Sequence, residues 1–208
     1  TVTDIEIEID LDTHFYIIGN TASSYSAEQI RAYNSYETLQ TISADYNQQV
    51  FEDPETYLPE LVRAMQNAVS DKGGQLSLIY DWICDSIYYD WDGYLSGDFW
   101  KDNHSDPYEI LRRRTTVCAG FAILFNEMCR LADIPSRTIR GHAKVTDGEL
   151  ASSHAWNAVM VNDREFIVDT TWGCGNKYQN NTFTEGNFTR AYFLLEPNIA
   201  IYFHRPYL

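Results

Sequence analysis

The chain has 208 residues, with 15 Lys and Arg against 30 Asp and Glu, a formal net charge of −15. That length can bury one full core with a small appendage but not two large domains, and charge of this sign repels phosphate backbones, which argues against nucleic acid as a partner. Hydrophobic content of 44% with 14% aromatics excludes wholesale disorder, and no apolar run approaches the ~18 residues a membrane span needs, so no membrane insertion is expected.

Residues 4–12 alternate charged and apolar side chains, the period-two pattern of a strand with one wet face, expected at a sheet edge. Helical spacing follows over 27–39 and 54–69, the second burying Leu58, Leu61, Val62, Met65 and Val69. The pair Gly73-Gly74 then marks the expected boundary between an accessory region over 1–73 and a main unit over 74–208. From 75 to 87, Leu76, Ile79, Tyr80, Ile83 and Ile87 fit one helical face. A loop runs to His104, and Asp106-Pro107 caps and starts a short helix through Arg114. Phe121, Leu124, Phe125, Met128, Leu131 and Ala132 form the stripe of a buried helix whose first turn carries Cys118. Strands are expected over 137–144, 154–161, 165–170 and 192–195, with the polar stretch 176–187 as a long loop. Helices first and antiparallel strands after predict an α+β fold.

The strands 154–161 and 165–170 read as a hairpin turning on Asn162-Asp163. Pairing Val161 with Arg164 sets Trp156 opposite Asp169 and His154 opposite Thr171, with His154, Trp156, Ile167 and Asp169 on one face. His154 and Asp169 are then diagonal neighbours, about 7–8 Å apart at Cα, which a carboxylate and an imidazole can bridge. A carboxylate-oriented imidazole needs a nucleophile to complete a triad. Cys118 stands where free N–H groups and the helix dipole favour the negative charge of a thiolate. Cysteine at a helix N-terminus, then His, then Asp on neighbouring strands, is the layout of a papain-like acyl-transfer site.

The segments Thr116-Val-Cys118-Ala-Gly-Phe-Ala, Ala132-Asp-Ile-Pro135 with Arg140-Gly-His-Ala143, His154-Ala-Trp-Asn157 and Val168-Asp169-Thr-Thr-Trp172-Gly together resemble the transglutaminase-like superfamily over residues 76–208. Ile79-Tyr-Asp-Trp82, Tyr89-Asp90, Tyr192-Phe-Leu-Leu-Glu-Pro197 and His204-Arg-Pro206 are similar to its branch of kyphoscoliosis-peptidase-like and bacterial surface proteins. The resemblance implies a papain-like α+β core with Cys118 as nucleophile, His154 as general base and acid, and Asp169 as its orienter. It also implies an oxyanion site made by the backbone N–H of Cys118 and an upstream donor, for which Tyr89 or Trp100 is the candidate. Trp156 and Trp172 are candidate walls of an acyl pocket, although aromatics flanking a hairpin more often belong to the core than to a cleft.

On this reading the chain is a thiol enzyme acting on amide bonds of proteins or peptides through a thioester, a protease or amidase ahead of a cross-linker, because nothing suggests a tunnel that would exclude water in favour of an amine. The alternative is a catalytically silent binding domain on a bacterial cell-surface protein. The start at Thr1, with no basic and apolar leader, suggests a processed piece, secreted or at a bacterial surface. No cofactor and no metal are expected. His14, His104, His142 and His204 have no partner at zinc spacing, and Asp90-Trp-Asp92-Gly93 lacks the closing ligands of a calcium loop. Cys84 and Cys129 read as packing residues, Cys174 as a loop thiol, and the irregular spacing of the four cysteines shows no disulfide framework. The oligomeric state is not legible.

Overall fold

The computed structural model describes residues 26–97, 106–144 and 150–207. The alternating stretch 4–12, Trp100, His14 and His104 lie outside the described residues. Helices α1 (Ala27–Ala32), α2 (Tyr36–Glu52), α3 (Pro54–Ala68) and α4 (Lys72–Ser86) come first. Strand β1 (Tyr88–Asp90), α5 (Trp91–Ser96), α6 (Pro107–Arg113), β2 (Thr115–Thr116) and α7 (Cys118–Leu131) follow. Next are β3 (Ser136–Lys144), β4 (Leu150–Val161), β5 (Arg164–Val168), α8 (Thr170–Gly173), β6 (Lys177–Gln179), β7 (Thr182–Thr184), α9 (Pro197–Ala200) and β8 (His204–Pro206). The α+β class holds.

The helix expected over 27–39 is two helices, because its backbone is captured from outside. Arg190 donates to the carbonyls of Arg31 at 2.8 Å and Tyr33 at 2.6 Å, where α1 ends. The same guanidinium meets the buried carboxylate of Asp81 on α4, with Ser35 bonded to both. Arg190 thus ties the α1–α2 junction and α4 to a segment more than a hundred residues away.

Helix α4 buries nearly its whole circumference rather than one face, because α1, α2, α3, α7 and α8 surround it. Gly73 and Gly74, the expected boundary, lie in its first turn, where Asp71 accepts their N–H groups at 2.9 and 3.2 Å. One apolar cluster runs from Leu58, Leu61 and Met65 of α3 through Trp82 of α4 and Phe121 and Phe125 of α7 to Phe166 of β5.

Two sheets frame this core. The first has strand order β2-β1-β6-β7, with β1 parallel to both its neighbours; β6 and β7 form a hairpin inside the stretch read as a loop. The second, in order β5-β4-β3-β8, is antiparallel. Its β4–β5 hairpin has the expected register, Val161 opposite Arg164, and Asn162 and Asp163 take positive φ at the turn. The strand expected over 192–195 does not form; a single bridge joins Leu195 to Ile167, and Leu194 has a φ of 55° that breaks the extension.

Removing Arg190 leaves the Asp81 carboxylate buried without its cation. Arg190→Met is expected to cost about 3 kcal/mol or more, and the double change with Asp81→Leu markedly less, in urea denaturation.

Candidate active site

Cys118 opens α7, and the helix has no side-chain cap, so the free N–H groups and positive end of its first turn face the thiol. Gly120 permits this placement: a Cβ there would lie 1.8 Å from Thr116 Oγ1. The parallel pairing of β1 with β2 sets Tyr89 opposite Thr116, two residues before Cys118.

His154 lies on β4 and is 7% exposed. Asp169 is fully buried, but not in the ladder that the hairpin register extrapolates to. The β4–β5 pairing stops at Asn157 and Val168, and the chain turns so that Asp169 caps α8, its Oδ1 accepting the Trp172 N–H at 3.0 Å. The carboxylate then meets the imidazole directly, with His154 Nε2 donating to Asp169 Oδ2 at 2.7 Å. The Cys118 thiol is near enough to the His154 ring to add to its basicity. The three residues singled out for the triad thus converge.

A fourth group was missed. His204, on β8, donates Nε2–H to the same Oδ2 at 2.8 Å and is 2% exposed. No spacing rule links residues 35 apart on separate strands; the only trace was its place in the His204-Arg-Pro206 similarity. Zinc spacing along the chain, the measure that leaves His204 without a partner, does not register one reached through the fold. The two imidazoles and the carboxylate lie within 4.8 Å of one another. A tetrahedral zinc with ligand bonds near 2.0–2.2 Å would hold N and O roughly 3.3 Å apart. Contacts of 2.7 and 2.8 Å are hydrogen-bond lengths, so as spaced the cluster shares protons rather than encircling a cation.

Burial alone would lower the basicity of His154, but the Asp169 charge and hydrogen bond, together with Cys118, carry its pKa up to about 10. Burial would likewise push the Asp169 carboxyl up, yet the charge and hydrogen bond of His154, with His204 beside it, hold it well below the usual carboxylate range. Burial pushes the Cys129 and Cys174 thiols up to about 12 and raises Cys84 as well, which leaves all three poor nucleophiles at neutral pH. All four cysteines are free.

Tyr89 is half-buried beside Trp91 and Tyr94, and burial, followed by the nearby Cys118, holds its hydroxyl above the usual phenol range, so it stays a donor. Trp156 is 1% exposed and packs with Ile139, Ala158, Ile167 and Ala200. It packs beneath the His154 and His204 rings, on the core side. Asp90 caps Gly93, and Asp92 accepts from the backbone of Asn180 and Asn181, so both acids serve local turns.

Residues 59–170 match the profile described as the transglutaminase-like superfamily. The chain belongs to that superfamily. The kyphoscoliosis peptidases of Homo sapiens and Mus musculus are 33% and 35% identical to it over 156 and 157 residues, 72% of this chain but 23% of each relative. The chain therefore spans about a quarter of the length of these curated relatives. Among solved structures, the periplasmic domain of TgpA from Pseudomonas aeruginosa is similar at 16% identity and a TM-score of 0.43, over 55% of this chain and 43% of that one. Membership supports, at the level of the family, a thiol-dependent enzyme. No helix among the described residues is long and apolar enough to cross a membrane.

The pair sets a pH signature for stability. His154 titrates above its ordinary value of about 6.5, so its contribution is full below that value and is lost as pH rises through about 10. Asp169 is depressed, so the contribution is present above about 3.9 and is lost as pH falls toward its folded value. These are two limbs of one coupled interaction. Urea midpoints measured across pH should show a plateau between the limbs, and Asp169→Asn should remove the alkaline decline.

Proposed function

We propose that this chain is a cysteine hydrolase of amide bonds in proteins or peptides, with Cys118 as nucleophile, His154 as acid and base, and Asp169 as the group that orients the imidazole. The observation that carries it is the His154 imidazole hydrogen-bonded to the buried Asp169 carboxylate, with the Cys118 thiol of a helix N-terminus close enough to raise its basicity. Because Nε2 faces Asp169, Nδ1 is the nitrogen left for Cys118.

The Cys118 thiolate attacks the amide carbonyl carbon, and the electron pair moves to oxygen. The backbone N–H of Cys118 and the Tyr89 hydroxyl are the candidate donors to that oxyanion. Collapse of the intermediate expels the amine, which takes its proton from His154 and leaves a thioester on Cys118. Water, deprotonated by the now neutral His154, attacks the thioester and releases a carboxylic acid and the thiolate. Water is favoured over an amine as acceptor because an amine must compete with bulk water, which a cross-linking site has to exclude. The surface, at a net charge of −15, favours basic peptides at low salt. Kyphoscoliosis peptidase, the name of the curated relatives, agrees with hydrolysis; those relatives are human and mouse, so a bacterial cell-surface setting draws no support from them.

The test combines labelling with turnover. Iodoacetamide should modify Cys118 ahead of Cys84, Cys129 and Cys174, and His154→Ala should slow that labelling at neutral pH by about tenfold or more. Against a peptide library, Cys118→Ala should abolish amide cleavage and His154→Ala should lower kcat by about 10²–10⁴. Slow labelling of Cys118 that ignores His154 would sink the enzyme reading in favour of a binding domain.

A further inference from the structure

His204 stands at the start of the edge strand β8, which is held to β3 by the pairing of Ala143 with His204. Its ring is walled by Trp172, Trp156 and Tyr192, with centroids 4.7, 4.8 and 6.5 Å away, and it lies 5.9 Å from the His154 ring. The titratable groups that face it among the described residues are His154 from β4, Asp169 ahead of α8, and Tyr192, with Cys118 reached through His154.

The two ring nitrogens have opposite surroundings. Nε2 is 2.8 Å from Asp169 Oδ2, whereas Nδ1 is buried with no hydrogen-bond partner among the described residues. A proton on Nδ1 would bury an unpaired donor and turn the Nε2 lone pair onto a carboxylate oxygen, so the proton sits on Nε2. His204 is therefore a fixed donor to the same oxygen that His154 uses. With the Trp172 N–H on Oδ1, the carboxylate is held from three directions, and rotating it would break at least one bond.

We propose that His204 is a positioning residue for the His154–Asp169 pair: its Nε2–H holds Asp169 ionised and aimed at His154, which makes the edge strand β8 a working part of the site. The inference rests on the reading of Cys118, His154 and Asp169 as the reacting set, and assigns a role to a residue outside it. Without that donor the buried carboxylate turns or takes a proton, and the imidazolium of His154 loses its partner.

The experiment compares the full chain with His204→Leu, which removes the donor, and His204→Gln, which keeps an N–H. Its readouts are the His154 imidazole titration by NMR and Cys118 alkylation by iodoacetamide. His204→Leu should lower the His154 titration by about one pH unit or more, equivalent to about tenfold, and slow alkylation at neutral pH by a similar factor. His204→Gln should recover most of both. A merely structural residue would lower the melting temperature and leave the His154 titration where it was, so a folded His204→Leu with the parent titration overturns the proposal. So does a His204→Gln that falls as far as His204→Leu. If Cys118 of the parent labels slowly and without regard to His154, the proposed function fails, while the His154 titration still decides the role of His204. Should His204→Leu not fold, the ¹⁵N shifts of the parent decide: a protected Nε2–H on His204 that is lost in Asp169→Asn supports the role, and an Nδ1–H overturns it.

Discussion

An ionised carboxylate with no exposed surface costs several kcal/mol unless its lone pairs are filled. Asp169 fills them from three parts of the chain: the Trp172 N–H of its own turn, His154 of β4 and His204 of β8. Each donor demands something of the fold. The turn requires β5 to end at Val168 and α8 to begin at once, and His204 requires β8 to close the edge of β3. The second sheet and the electrostatics of the candidate site are in this sense one construction, since the carboxylate keeps its charge only when all of these elements are in place.

The thiol arrives from a different direction, and Asn157 joins the two sides. Its side-chain nitrogen donates to the Ala122 carbonyl at 3.0 Å and to Asn126 Oδ1 at 2.9 Å, pinning β4 to α7. Ala122 is one helical turn beyond Cys118, and Asn157 is three residues beyond His154, so these bonds help set the spacing of the Cys118 thiol and the imidazole. Behind it, α4 fills the centre of the molecule, and the Asp81–Arg190 pair locks α1 and α2 onto that centre. Two buried carboxylates thus organise the chain, one bonded to histidines at the candidate site and one to arginine in the scaffold.

Much of this was legible in one dimension where short-range physics decides. The turn at Asn162-Asp163 fixes hairpin register through two residues that tolerate positive φ, and the ladder follows from it without further input. The stripe from Phe121 to Leu131 specifies a helix with Cys118 in its first turn, and Asp106-Pro107 specifies the start of α6. The pattern failed where partners are remote. Arg190 breaks a continuous helical pattern at Tyr33 from more than 150 residues away, and α4 is buried on faces that its one-sided periodicity would leave wet, since five helices converge on it. The β6–β7 hairpin is two strands of three residues, each with one aromatic, Tyr178 or Phe183, between polar neighbours, too short a pattern to announce a strand.

The candidate site divides along the same line. The types and order of Cys118, His154 and Asp169 were set by the sequence itself, because helix start, hairpin register and residue chemistry are local properties. That His154 and Asp169 meet through a helix cap rather than across a ladder, that Trp156 lies beneath both rings, and that His204 shares the carboxylate were decided only by tertiary structure. The physical reason is that an acceptor oxygen has a direction but no sequence distance, so its second donor is chosen by whichever strand the sheet edge brings within 3 Å, and no periodicity along the chain records that choice.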